Sequence, residues 1–559
     1  MILALVLTAV IVGLTPVLFP PAPSAARRAD SSAVAPADRD APAAQPAAPA
    51  QSPPVVAPTA IQAADSVPAT AAAIRADSTV VATDLATYSF SSVGATPVSL
   101  VINRYDNLAR RGRPVDLGAT GLPLLKYRLV VPGDTVDLSA AAFARASTGV
   151  PGPGSPLSYQ AIVDGHGVTI DYSFNTDSYL LGVTGRVESP ATTGTGPRFL
   201  LVDLPTAFPI TEADSVGDRR SLAYAFKSER ESSKSVSFSS LDPGERRLEA
   251  TPLTWVAAKS KYFVVGVLTP EGDDPFSEAT FTGGPRTSKD ATHAMATVVE
   301  RVTDEGFAFE LYAGPQEWER MLKVGREFDS VNPYGWKFMQ GFVQPFATIV
   351  MRILLWMHNV LQLSYGWVLV IFGVVVRLIL WPLNQKAMKS SLRMQHIQPR
   401  MQEVQKKYAG NREKQQAEMM KIYKEEGVSP FSAVTGCLPM LLPMPVLIAL
   451  FFVFQNTIEF RGVPFLWLTD ISIKDPYYIL PLLMGASMYV LSWIGLRNAP
   501  PNPQAKMMSY IFPFMMTFFL MNLASGLNLY YAVQNVAALP QQWLIARERQ
   551  KMTVKIPKK

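Results

Sequence analysis

The sequence predicts a membrane protein: an α-helical transmembrane bundle with a five-helix core plus an N-terminal anchor, a periplasmic all-β sandwich domain and a cytoplasmic helical hairpin. Three observations predict it. Apolar residues make up 48% of the 559 residues. They gather at the extreme N-terminus and beyond about residue 345, in runs near the ~20 residues that a spanning helix needs. The stretch between has the alternation and turn chemistry of short strands. Basic residues crowd beside the apolar runs and leave a net charge of +6. That placement suits membrane topology and anionic lipids better than a specific nucleic acid.

Residues 1–19, MILALVLTAVIVGLTPVLF, form one apolar run. A cleaved signal peptide and a retained transmembrane anchor both fit it. A basic segment before the run is missing, and Arg27 and Arg28 follow it; the anchor is the preferred reading. Residues 20–80 are mostly Ala, Pro, Ser and Val, too poor in large apolar side chains to offset ordering entropy, and read as a disordered tether. Residues 81–325 read as the β domain. Tyr159, Ala161 and Val163 alternate into Asp164-Gly165-His166-Gly167, and Val168, Ile170, Tyr172 and Phe174 alternate out of it, a hairpin signature. Further strands are expected at 178–187, 198–204, 261–268 and 306–314, and a short helix at 315–325. The tether and the lack of a plausible active site predict a domain largely dispensable for the work of the helical bundle, with only the segment near 315–361 mattering to it.

Residues 342–361 are apolar but carry Arg352 and His358. A spanning helix and an amphipathic helix lying in the interface compete; the short link to the next run favours the interface. Four or five spans follow, at 365–383, 437–454, 477–495, 507–523 and 526–544. Between the first two, residues 384–430 hold ten basic against five acidic residues, the strongest cytoplasmic marker in the chain. The tail 545–559 is also basic. Four crossings separate the two, so both lie on one side and the β domain lies in the periplasm. Within 384–430, Met394, Ile397, Met401, Val404 and Tyr408 recur at heptad spacing, and Gln416, Met419, Tyr423 and Glu426 repeat it after Ala-Gly-Asn. Two antiparallel helices are expected. Their basic excess suits acidic chain segments and anionic lipid headgroups.

Arg377 lies inside an apolar run of 19 residues, six from its cytoplasmic end. A charge there is costly, roughly 2.5–3.5 kcal/mol on insertion scales. It either snorkels to the headgroups or faces a wet cavity. In the last span Asn528, Tyr531 and Asn535, with Gln534 adjoining, share one helical face. Such a stripe faces water or bonds a neighbouring helix. Pro439, Pro443, Pro445 and Pro540 favour kinked, irregular packing. The single cysteine, Cys437, permits no internal disulfide, and His166, His293, His358 and His396 show no metal-ligand spacing; no cofactor is expected. Glu310 and His293 have no spacing that recommends catalysis, so a non-enzyme is expected.

GCLPMLLPMPVLIALF (436–451), DPYYILPLLMG (475–485), SGLNLYYAVQN (525–535) and VVVRLILWPLNQKAMKS (374–390) with MQHIQPRMQEVQKKY (394–408) resemble the signature runs of the YidC/Oxa/Alb family of insertases, in its Gram-negative YidC form. ELYAGPQEWERML (310–322) resembles the end of that family's periplasmic domain. The resemblance implies insertion and folding of inner-membrane proteins through a hydrophilic groove open to cytoplasm and lipid. It implies a β-supersandwich domain, nascent membrane proteins as substrates, and the Sec translocon, its SecDF accessory and the ribosome as partners. The family arginine corresponds to Arg377 and the groove tyrosine to Tyr531. Gly373 stands where many relatives have threonine, and Pro443 where many have glutamine. Two other classes compete. A solute transporter would also use an intramembrane charge, but no inverted repeat is visible. A carbohydrate enzyme on an anchor explains neither Arg377 nor the hairpin.

Overall fold

The computed structural model describes residues 77–425, 444–496 and 503–554, apart from 148, 191–195, 287–289, 333 and 336–337. The anchor at 1–19 and nearly all of the tether lie outside these residues. Thr79 and Val81 are buried in alternation along the strand Ser78–Ala82, whose first residues fall inside the stretch read as tether.

The β domain is built from antiparallel strands in three sheets. A nine-stranded sheet runs from Lys234–Ser237 at one edge to Ala144–Arg145 at the other. A six-stranded sheet runs from Arg246–Glu249 to Asp134–Asp137, and four strands between Ser78 and Asp116 form the third. The expected hairpin is the pair Leu157–Val163 and His166–Phe174. Its turn is the two residues Asp164 and Gly165, with φ of 49° and 81°, as a type I′ turn requires. His166, Val168, Ile170, Tyr172 and Phe174 face inward along its second strand. The Tyr172 hydroxyl meets that of Tyr127 at 2.8 Å across to the six-stranded sheet. Phe90 of the four-stranded sheet packs on Tyr172 at 4.7 Å between ring centroids. All three sheets thus share one aromatic core, a sandwich.

The helices are α1 (Ser215–Arg220), α2 (Trp318–Val324), α3 (Gln340–Leu361), α4 (Tyr365–Lys407), α5 (Arg412–Glu425), α6 (Met444–Asn456), α7 (Ile479–Leu496), α8 (Pro503–Leu520) and α9 (Ser525–Val554). In the helical half α9 packs on α4 and α7, α8 on α7, and α6 on α3. Two helical stretches among the described residues are long and apolar enough to cross a membrane, Tyr365–Lys386 and Ile479–Leu496; Met444–Asn456 and Ser509–Leu520 are apolar but shorter. The span expected at 437–454 is described only from Met444 onward. Two expected boundaries dissolve. The helix of 365–383 continues to Lys407 as one arm of the hairpin, and the last helix continues into the basic tail to Val554. Helix α3 buries Val343, Ala347, Val350 and Leu354 against the body, and leaves Phe346, Ile349, Ile353, Trp356 and Val360 exposed on another face. It is therefore apolar on two sides.

The β domain is tied to the helical half by one loop. Ile458, in the loop after α6, belongs to its hydrophobic core, as do Phe328 and Val331. Arg461 of the same loop donates from Nε to both carboxylate oxygens of Glu212, at 2.9 and 3.0 Å. Its Nη2 donates to the carbonyls of Asp106 and Thr211. The two side chains are 3% and 6% exposed. A pair so buried stands only with such complete hydrogen bonding, because both ions lose their hydration. Beside it Glu459 Oε1 accepts the Trp318 N–H at 3.0 Å, and Oε2 is buried without a hydrogen-bond partner among the described residues.

Burial pushes the Glu459 carboxyl up to about 7 from its ordinary 4.5, and Glu317 and Glu319 add to this against the opposing pull of the Trp318 N–H. Between those two values the folded junction holds a proton that the unfolded chain has already lost. Stability from this group is present below about 4.5 and falls as pH rises toward 7. The loss is about 3 kcal/mol at most, at 1.36 kcal/mol per pH unit. Glu459→Gln keeps the acceptor and removes the charge. We expect thermal unfolding of the full chain to drop between roughly pH 5 and pH 8 in the parent, and to drop less in Glu459→Gln; equal slopes for the two would refute this.

Candidate functional site

Helices α4, α7, α8 and α9 surround a cavity of about 370 Å³, with Leu447 of α6 at its side. Helix α4 supplies Arg377 and Asn384, α8 supplies Ser509 and Phe512, and α9 supplies Tyr530, Tyr531, Gln534, Asn535, Gln541 and Gln542. Among the described residues none that lines it is acidic. Arg377 Nη2 donates to Gln541 Oε1 at 2.9 Å, and Gln541 Nε2 in turn donates to the Trp381 carbonyl at 3.1 Å. The charge is thus held by a neutral amide that α4's own backbone orients. Arg377 Nε, Asn384 Nδ2 and Gln534 Oε1 are buried with no hydrogen-bond partner among the described residues. Such atoms are costly in a dry site and ordinary in a wet one.

Four of the expected groove residues come together here: Arg377, Tyr531, Gln534 and Asn535. Two do not. Asn528 is fully buried away from the cavity and donates from Nδ2 to the Leu520 carbonyl at 3.0 Å. It satisfies the end of α8, because the chain breaks between α8 and α9 just before it. Gly373 also stands outside the cavity lining. A Cβ there would lie 3.1 Å from Val533 Cγ1 and 3.5 Å from Tyr530 Cδ2, and its carbonyl accepts from Gln534 Nε2 at 3.0 Å. This is a close helix crossing, where a side chain has little room. Asn535 Nδ2 donates to Ser487 Oγ at 3.1 Å, tying α9 to α7.

Sequence reasoning missed Gln541, the direct partner of Arg377, along with Gln542, Asn384 and Tyr530. A signal was available. Gln534 and Gln541 are seven apart, as are Arg377 and Asn384, so both stripes continue one heptad further.

In the hairpin, Ile397, Ile422 and Tyr423 are buried together, with Met401 and Val404 partly buried against them. Met419 and Tyr408 are half-buried, and Gln416 is exposed. The second seam therefore runs through Ile422, which the expected register left out. The Met394 side chain and Glu426 lie outside the described residues. In the β domain His293 bonds Thr292 Oγ1, while Glu310 pairs with Arg326.

These features define a class: helical membrane proteins with an appended β-sandwich domain and a positively charged cavity between helices. Comparison with known proteins narrows it. A family described as 60Kd inner membrane protein matches residues 356–553, and one described as YidC periplasmic domain matches 78–349. The membrane protein insertase YidC of Aromatoleum aromaticum is 31% identical over 387 residues, 69% of this chain and 68% of that one. That of Chlorobium phaeovibrioides is 30% identical over 509 residues, 83% and 82% of the two chains. A YidC insertase crystal structure aligns over 84% of this chain and 94% of that chain, at 17% identity and a TM-score of 0.33. A galactose mutarotase-like protein from Lactobacillus casei aligns over 43% of this chain, at 9% identity and a TM-score of 0.29. The chain belongs to the YidC family of membrane protein insertases.

The Gly373 crossing yields a test. Gly373→Thr should lower the thermal stability of the purified protein by about 1–3 kcal/mol through overpacking, and Gly373→Ala by less. Full stability of the threonine variant would mean that α4 and α9 do not meet as closely as described.

Proposed function

We propose that this chain inserts segments of nascent inner-membrane proteins into lipid, using the Arg377 cavity as a hydrated way station. The observation that carries this reading is an arginine in a cavity between apolar helices, with no acidic residue in its lining among the described residues. A permanent acidic partner would occupy the charge. Gln541 instead holds one guanidinium nitrogen and leaves the rest available.

In this proposal the helices α4, α6, α7, α8 and α9 cross the membrane as five spans behind the N-terminal anchor. The β domain then lies in the periplasm, α3 in its interface, and the basic hairpin in the cytoplasm. Arg377, Asn384, Gln541, Gly495 and Ser509 all lie toward the helix ends that lead to the hairpin and the basic tail. That placement supports a cavity entered from the cytoplasm. At the opposite ends, the Arg461 and Glu212 junction supports closure.

The chemistry is a lowered barrier with no catalytic step and no cofactor. A polar substrate tail crosses a thinner apolar layer because the cavity is wet partway through. Arg377 attracts an acidic tail, and Tyr531 and Asn535 offer hydrogen bonds in exchange for lost water. The adjoining hydrophobic segment then enters lipid, and its burial, at ~25 cal/mol per Å², makes the transfer downhill. The hairpin, held by a small core of Ile397, Ile422 and Tyr423, receives acidic chain segments or anionic headgroups and moves as they pass. The ribosome, the Sec translocon and its SecDF accessory are the proposed suppliers and co-workers.

Insertion of matched single-span substrates that differ only in the Asp count of their translocated tails tests the mechanism. Arg377→Ala should slow the acidic substrates by roughly tenfold, the effect of ~1.4 kcal/mol in the barrier, and Arg377→Lys should retain part of the rate. Wild-type rates for every substrate would reduce Arg377 to a snorkelling residue. For the hairpin, a crosslink tying α5 to the bundle should slow insertion, and an unchanged rate would exclude its movement from the cycle.

A further inference from the structure

A second, larger cavity of about 800 Å³ lies where the β domain meets the other ends of the helices. Its two sides differ in chemistry. The β-domain side carries Arg220 and Lys261, and Lys474 comes from the loop before α7. The helical side carries Phe451 and Phe454 of α6 and Leu527 of α9. Asp214 is the one acid in the lining, and its Oδ1 already accepts the Gly217 N–H at 3.0 Å. Arg220 touches Asp290 only at 3.5 Å from a largely exposed position, a contact of little strength in water. Burial works against the charge of Lys261, but Tyr262, Glu212 and Asp470 outweigh it and hold the amine protonated. Glu212 itself is engaged on both oxygens by Arg461. Three cations thus stand over an apolar floor.

We propose that this cavity binds one anionic phospholipid of the periplasmic leaflet. Its phosphate sits among Arg220, Lys261 and Lys474. Its acyl chains run down past Phe451 and Leu527. The site rests on the membrane placement proposed above, though not on the Arg377 mechanism. A lipid there joins the β domain to the bundle beside the Arg461 junction.

The test uses the full purified chain in detergent, stripped of lipid and offered phosphatidylglycerol with a photoreactive acyl chain. Crosslinks are mapped by mass spectrometry, which separates this site from the basic hairpin. We expect labelling within 451–456 or 523–527, lowered about fivefold for each cation removed. Lys261→Gln alone and the exposed pair Arg220→Gln with Lys474→Gln serve as independent variants, so a folding defect in one leaves the other informative. Phosphatidylcholine should label at least fivefold less, and millimolar inorganic phosphate should not compete. Equal labelling in the charge variants, or by phosphatidylcholine, would overturn the proposal. So would displacement by inorganic phosphate alone, which would make it an ion site. Complete displacement by an equimolar acidic transmembrane peptide would overturn it too, in favour of a protein partner. Insertion rates of the same variants are a separate readout. Normal insertion without site-specific labelling would refute the lipid site and leave the insertase reading intact.

Discussion

The helical half packs around a charge, Arg377, that has no counter-charge among the described residues. Placing Arg377 among apolar helices is costly unless it is hydrated or paired. The chain answers with amides: Gln541 on the guanidinium, and Gln534 on the Gly373 carbonyl and the Tyr530 hydroxyl. Amides hold a cation in place without neutralising it. The price of that choice is a set of buried polar atoms without partners among the described residues, at Arg377 Nε, Asn384 Nδ2 and Gln534 Oε1. The requirement also fixes the packing around it. Helix α9 must approach α4 closely enough for its amides to reach across, and Gly373 is what allows that approach.

Much of this was legible in the sequence. A lone arginine in an apolar run is conspicuous because bilayers penalise charge, and a polar stripe at helical spacing is conspicuous for the same reason. The hairpin at Asp164 and Gly165 was legible because its outer strand alternates cleanly between core and solvent. Other strands were not. Ala223–Ser228 and Phe263–Leu268 are buried along their whole length, so neither carries the period of two that marks a half-exposed strand. Only the bulk and β-branching of FVVGVL exposed the second of them, while AYAFKS went unread.

The errors in the site have a common origin. Asn528 belongs to the stripe by spacing, yet it sits in the first turn of α9, where polar side chains commonly satisfy backbone groups left open at helix ends. Gln541 lies near the end of an apolar run, where a polar residue normally marks the membrane surface. Helical periodicity says which residues share a face. It does not say where along that face the neighbouring helix ends. The same blindness hid Arg461 and Glu212, which lie 249 positions apart and meet only because the loop between α6 and α7 docks on the β domain.

Arg461 and Arg377 set out the logic of the molecule as a contrast. Both are cations placed where water is scarce. Arg461 meets a carboxylate on two bonds and two carbonyls besides. Its charge is already matched by a carboxylate, and breaking the pair would strand two buried charges, so it holds surfaces together. Among the described residues Arg377 meets a single amide oxygen. In the proposed mechanism a passing carboxylate adds to that contact and then leaves, because no ion pair has to break on arrival or re-form on departure. Attraction of this kind is weak by construction, and transient passage needs weakness. On that proposal the two arginines serve opposite ends: the paired one closes a boundary, and the one held by an amide keeps a path open.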